Sequence, residues 1–142
     1  MAVTATWYTH GLEAVMKGEV DLLTDASKVA LLASGYTPDQ SHKSWLDVET
    51  HEASGAGYTA GGATLENKRV IVDVSDRRAT FDADDVTWTN SEITARYAAI
   101  YDDTASEKPL LALIDFGEEM SSSNGPFTIQ WDSSGILRFT AA

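Results

Sequence analysis

Along this chain the apolar positions come mostly in short alternating bursts, and one stretch alone carries a helical spacing. Within Trp7–Val20, residues Tyr8, Leu12, Val15 and Met16 fall at i, i+4, i+7 and i+8, which is one face of a helix. Gly11 weakens that helix and Gly18 suits its C-terminal stop. The next apolar run, 28–33, reads as a buried strand closed by the turn residues Gly35-Tyr36-Thr37-Pro38-Asp39. Residues 39–53 are polar, with Trp45, Leu46 and Val48 as apolar anchors. They predict a long loop holding one helical turn around Ser44–Val48.

From residue 69 onward the period is that of strands. Arg69–Val74 sets three valines on one face, and Asp76-Arg77 turns the chain into Ala79-Thr80-Phe81. Val86–Trp88 is a short extended piece. Ile93, Ala95, Tyr97, Ala99 and Tyr101 alternate onto one face, and Leu110–Phe116 is apolar on both faces, as a central strand would be. Phe127, Ile129 and Trp131 alternate with polar neighbours. Asp132-Ser133-Ser134-Gly135 then predicts a tight hairpin into 136–140. Short strands at regular spacing predict a mainly β fold, an antiparallel β-sandwich or barrel-like domain with one N-terminal α-helix. The expected layout is a single domain over 1–142, with an extended arm at 1–6, the helix at 7–20 and a β-rich body at 27–142.

The densest glycine run, Ser54–Leu65, holds Gly55, Gly57, Gly61 and Gly62. Gly55, Gly57 and Ala60 fit a G-x-G-x-x-A fingerprint. That motif needs a buried strand before it and a helix after it, and the flanking residues supply neither. The run is instead expected to be a bulge or a strand crossover, where a missing Cβ lets backbones pass closely.

Composition narrows the classes. The chain of 142 residues carries a net charge of −12 and has no Lys/Arg cluster beyond Lys68-Arg69 and Arg77-Arg78. Such a field repels phosphate backbones and anionic lipid, so neither nucleic acid nor membrane is an expected partner. There are no cysteines, which removes disulfides, thiol catalysis and cysteine-zinc sites. The first residues lack the basic and apolar regions of a signal peptide, and the longest aliphatic run, Leu110–Ile114, is far too short to span a bilayer.

Candidate chemistry is sparse. Asp82, Asp84 and Asp85, with Asp102 and Asp103, could offer oxygen ligands, but EF-hand spacing is missing and turn capping explains Asp82 and Asp84. His10, His42 and His51 lack zinc-ligand spacing, and none of the serines lies in a nucleophile elbow. No catalytic, cofactor-binding or metal-binding residue is therefore expected. Trp45, in a polar loop, has three readings: a core residue, a protein contact or a glycan contact.

Read in order, several stretches resemble a family of small virion structural proteins of tailed bacteriophages. They are 28–32 with 36–40, 55–65, 82–88, 93–101, Asp115-Phe116-Gly117 and 127–132. The resemblance implies a non-enzymatic particle component without cofactor, made in the host bacterial cytoplasm and located on the virion. Its first expectation is a capsid decoration (cement) protein that binds the expanded head through the major capsid protein, as a trimer at local threefold positions. A tail- or fibre-associated adhesin contacting host glycans is the alternative, and a small hydrolase is third. The expected capsid contacts are the arm Ala2, Val3, Thr4, Ala5 and Thr6, together with Trp45. The arm is small and β-branched and looks unpaired, so it would either add a strand to a neighbour or fray; its removal is expected to spare the fold.

Overall fold

The apolar run Ser27–Leu32 forms a strand buried on both faces of a sheet, which is why its sequence shows no alternation. It belongs to a computed structural model that describes residues 2–141. In chain order the elements are β1 (Ala2–Val3), β2 (Thr6–Trp7), α1 (Thr9–Met16), β3 (Ser27–Leu32), two 3-10 turns (Trp45–Asp47 and Glu49–His51), β4 (Ala63–Thr64), β5 (Arg69–Asp73), β6 (Arg78–Asp82), β7 (Val86–Ser91), β8 (Thr94–Asp102), β9 (Leu110–Ser121), β10 (Gly125–Trp131) and β11 (Leu137–Thr140).

The fold is mainly β with one N-terminal helix, as the pattern predicts, and its sheets stay open instead of closing into a barrel. A five-stranded sheet has the order β2-β9-β8-β3-β4, and two three-stranded sheets have the orders β1-β10-β7 and β11-β6-β5. Among the described residues every strand pairing is antiparallel except β1 with β10. The main core joins inward residues of all three sheets, among them Leu31, Ile100, Phe81, Leu137, Ile129 and Trp131. A second core lies on the other face of the large sheet, where Ala30, Leu32, Ala99 and Tyr101 meet Tyr8, Tyr36, Trp45 and Val48. The long polar loop is therefore the cover of the large sheet, held down by its few apolar residues.

Four expectations change. The helix is shorter than 7–20: Trp7 is already strand, and Met16 points to solvent. Its buried residues are Gly11 and Ala14, not Leu12, Val15 and Met16, because the helix lies so close to β9 that only small residues fit. A Cβ on Gly11 would sit 2.7 Å from the Leu110 carbonyl oxygen. Ile93–Tyr101 does not keep one face. The register with β9 shifts between Ala95 and Tyr97, so Ile93 and Ala95 join Ala98 and Ile100 in the main core while Ala99 and Tyr101 enter the second.

The predicted C-terminal hairpin is a corner. Asp132–Gly135 turns tightly, with Gly135 N–H donating to the Asp132 carbonyl at 2.9 Å. Yet β10 lies between β1 and β7, whereas β11 pairs with β6. Ile136 N–H donates to the Phe81 carbonyl at 2.9 Å and captures the chain on the second sheet. Alternation specifies a buried face but not the strand that pairs with it. The fourth change concerns the arm at 1–6, whose Met1 lies outside the described residues, as does Ala142 of the expected body. Ala2 and Val3 pair with Gln130 and Trp131, Thr6 pairs with Leu113, and Val3 is buried. The arm is thus part of the fold, and removing it uncovers core.

The glycine run is the expected crossover. Its first half lies against the end of β7, where a Cβ on Gly55 would be 1.9 Å from the Glu92 carbonyl oxygen. Its second half meets β3, where a Cβ on Gly62 would be 2.1 Å from the Val29 carbonyl oxygen. Ala63 and Thr64 then pair with Val29 and Lys28, so the run carries the chain from one sheet to the edge of another.

Candidate functional site

Of the residues expected to make contacts, the structure places Trp45 in the core. It is 4% exposed and stacks on Tyr101 with ring centroids 4.6 Å apart and planes 13° from parallel. Of the three readings the core position is the one observed, and the exposed aromatic that a glycan contact needs is not at this position. Thr4 and Thr6 of the arm are exposed, while the arm's backbone pairs within its own chain. The arm pairs with β9 and β10, whereas Trp45 packs in the second core.

What the loop does present is the next residue, Leu46, at 65% exposure. Ser44 caps the 3-10 turn by accepting the Leu46 N–H at 3.2 Å. Asp47 Oδ2 reaches back to accept the N–H groups of Lys43 and Ser44 at 2.8 and 3.0 Å. These bonds hold the Asp47 carboxyl below the usual carboxylate range, the Lys43 N–H contributing first. Trp45 N–H donates to the Lys108 carbonyl at 2.8 Å and ties the turn to the chain before β9. Leu46 thus projects from a turn anchored on both sides. It borders an open cleft of about 800 Å³ between α1 and the segment 105–109, lined also by His10, Glu13, Lys43, Glu107 and Pro109. The sequence held a signal for this: Ser44 and Asp47 have capping-box spacing, and Trp45 and Val48 at i and i+3 leave Leu46 outward.

The acidic residues weighed as ligands are otherwise engaged. Asp82 and Asp84 pair with Arg69 at 3.1 and 3.5 Å, and Asp85 accepts the Trp131 N–H at 2.9 Å. Asp103 pairs with Lys108 at 3.0 Å and Lys28 at 3.6 Å. Among the described residues, no group of three or more His, Asp or Glu side chains converges as a metal site. His42 Nδ1 and the Tyr36 and Tyr8 hydroxyls form a chain with 2.8 Å links, and burial pushes both tyrosines up. Among the described residues, no helix is long and apolar enough to cross a membrane.

Asp102 is the exception among the acids. It is buried opposite Ser27; its Oδ1 accepts the Thr104 and Ala105 N–H groups, and its Oδ2 has no hydrogen-bond partner among the described residues. Burial first, and the neighbouring Asp25 carboxyl second, push it up to about 6. The folded chain then binds more protons than the unfolded chain between pH 3.8 and about 6. Asp102 thereby contributes stability that is full below that window and lost as pH rises through it. Asp25, held below its ordinary value by Asp102 first and the Asp21 N–H second, acts in the opposite direction. Asp102→Asn keeps the Oδ1 acceptor and removes the charge. Urea unfolding from pH 4 to 8 is expected to show the variant more stable than the parent at neutral pH, with the gap closing toward pH 4. A gap independent of pH would contradict the raised value.

A second surface is the β5–β6 hairpin. Val70, Ile71 and Val72 of β5 are exposed, and Val74 at its end is 82% exposed. The valines were expected on one face of a strand, and the strand is there, but its apolar residues face solvent.

Compared with sequence-family profiles, with curated proteins and with solved structures, the chain matches none.

Proposed function

We propose that this chain is a bacteriophage virion structural protein, a capsid decoration protein that binds the outer surface of the expanded head through the major capsid protein and stabilises it. It acts by contact, without cofactor or catalysis. The resemblance of residues 28–132 to small virion proteins motivates the reading, and the acidic charge of −12 suits a protein kept soluble at high copy number before docking. The observation that carries it is the presentation of Leu46, an exposed apolar side chain on a capped turn anchored by Trp45. Contacts that bind well are apolar anchors already held in their bound geometry, since little ordering entropy is then lost on docking. Many copies on one shell make even a modest contact effective.

The test is co-sedimentation of purified protein with bare expanded capsids, with Leu46→Asp beside the parent. The parent is expected to saturate the shell and raise its resistance to heat. Leu46→Asp is expected to bind about tenfold or more weakly, a loss of about 1.4 kcal/mol, with an unchanged melting temperature. No co-sedimentation of the parent at high concentration, or density confined to the tail in images of the virion, would sink the decoration reading.

A further inference from the structure

We propose that β5 is a self-complementary docking edge whose occupant is β5 of a second copy of this chain, joined antiparallel about a two-fold axis through Ile71. The inference does not depend on the decoration reading. Among the described residues β5 is hydrogen-bonded on one side only, to β6, so its outer backbone groups are open to pairing. Free edges are normally kept short or charged, yet Val70, Ile71 and Val72 here are 45%, 51% and 68% exposed. The register extends the apolar surface inward. Val72 lies beside Ala79 and Ala79 beside Phe139, an exposed ring that stacks on Trp7 at 5.1 Å.

The charges select the occupant. Arg69 and Asp73 stand at opposite ends of β5, with Ile71 midway. Antiparallel pairing with Ile71 opposite its own counterpart sets Arg69 opposite Asp73 of the second copy, and Val70 opposite Val72. Within one copy Arg69 already bonds Asp82 at 3.1 Å, and Asp73 lies beside Arg78 in register. Across the joined sheet one row therefore reads Arg78, Asp73, then Arg69 and Asp82 of the second copy, alternating in sign throughout. Opposite charges directly across strands are favourable and like charges are not. Parallel pairing would set arginine against arginine. A two-residue slip would leave Arg69 or Asp73 facing Ile71, and a one-residue slip would turn the sheet faces over. The edge complements itself, which is the property of a two-fold contact; a ring of three needs two different surfaces. The symmetry inferred here thus differs from the trimer that the family resemblance implies.

The chain has no cysteine, so a single introduced thiol reports cleanly. Residues directly opposite in an antiparallel pair have Cα atoms about 4.5–5.5 Å apart. A disulfide spans roughly 4.4–6.8 Å. Under mild oxidation Ile71→Cys is expected to form a disulfide-linked dimer at least about tenfold faster than Val74→Cys. Val74 is the more exposed position, but in this register it lies opposite Lys68 of the second copy and not opposite itself. Sedimentation of the parent is expected to show a concentration-dependent dimer, which Ile71→Lys weakens about tenfold or more at an unchanged melting temperature. Equal cross-linking of the two cysteine variants with a monomeric parent overturns the proposal. So does a trimer that Ile71→Lys leaves intact. Loss of capsid binding in Ile71→Lys, from a parent that is monomeric alone, would assign the edge to the shell and equally refute self-pairing.

Discussion

Trp45→Ala is expected to lower the free energy of unfolding by about 3–5 kcal/mol, the range for truncating a large buried aromatic side chain. The ring fills the second core, stacked on Tyr101 and grouped with Tyr8, Tyr36 and Val48. Its removal leaves a cavity beneath the loop, and the neighbours are a sheet strand and a capped turn that cannot collapse into it. A chain of this kind has a total stability of about 5–15 kcal/mol, so the loss is a large share of it. Trp45→Phe keeps an aromatic face on Tyr101 and should cost about half as much or less. Urea denaturation monitored by circular dichroism measures both. If Trp45→Ala shifts stability by less than about 0.5 kcal/mol, the side chain is a surface residue and the placement is wrong. The outcome also separates two roles that the sequence leaves open, because a docking tryptophan would lose partner binding while leaving unfolding unchanged.

Gly62→Ala should cost a similar amount for a different reason. Its φ of +86° is in the left-handed region, where an added Cβ costs about 1–2 kcal/mol. The new Cβ would also lie 2.1 Å from the Val29 carbonyl oxygen and 2.7 Å from the Ala30 Cα, both backbone atoms of a central strand. Neither can move without breaking the pairing of β3, and overpacking adds roughly 1–3 kcal/mol. The expected total is about 2–5 kcal/mol. Gly18→Ala is the control: its φ is +75°, and nothing lies within 4 Å of the new Cβ. It should show the backbone strain alone, about 1–2 kcal/mol. Equal costs in the two variants would mean that the crossover does not press on β3.

The two cases differ in how far they were readable. The glycine run announced a close approach of backbones, because four glycines in a polar setting without a following helix leave little other use for them. Which backbones they approach was not readable, since Val29 and Glu92 are distant in the chain. Trp45 drew attention as an aromatic residue in a polar loop, but the loop's position over the large sheet decides that it is buried and that Leu46 beside it is not. The Arg69–Val74 segment shows the converse. Its composition reads as a strand with an apolar face, and nothing local says that this face is left exposed among the described residues.

Local sequence was enough for the class of the fold, most of its strands, the crossover glycines, a helical turn around Ser44–Val48 and the acidic field. These follow from local propensity, period and composition, which act within a few residues. Long-range packing instead sets β10 and β11 in different sheets, pairs the arm at 2–6 within its own chain, divides Ile93–Tyr101 between two cores, and leaves β5 as an edge among the described residues. Each of these depends on which strand lies beside which. Alternation specifies the face a strand buries, whereas its partner is chosen by packing among segments far apart in the chain, where no single window of sequence carries the information.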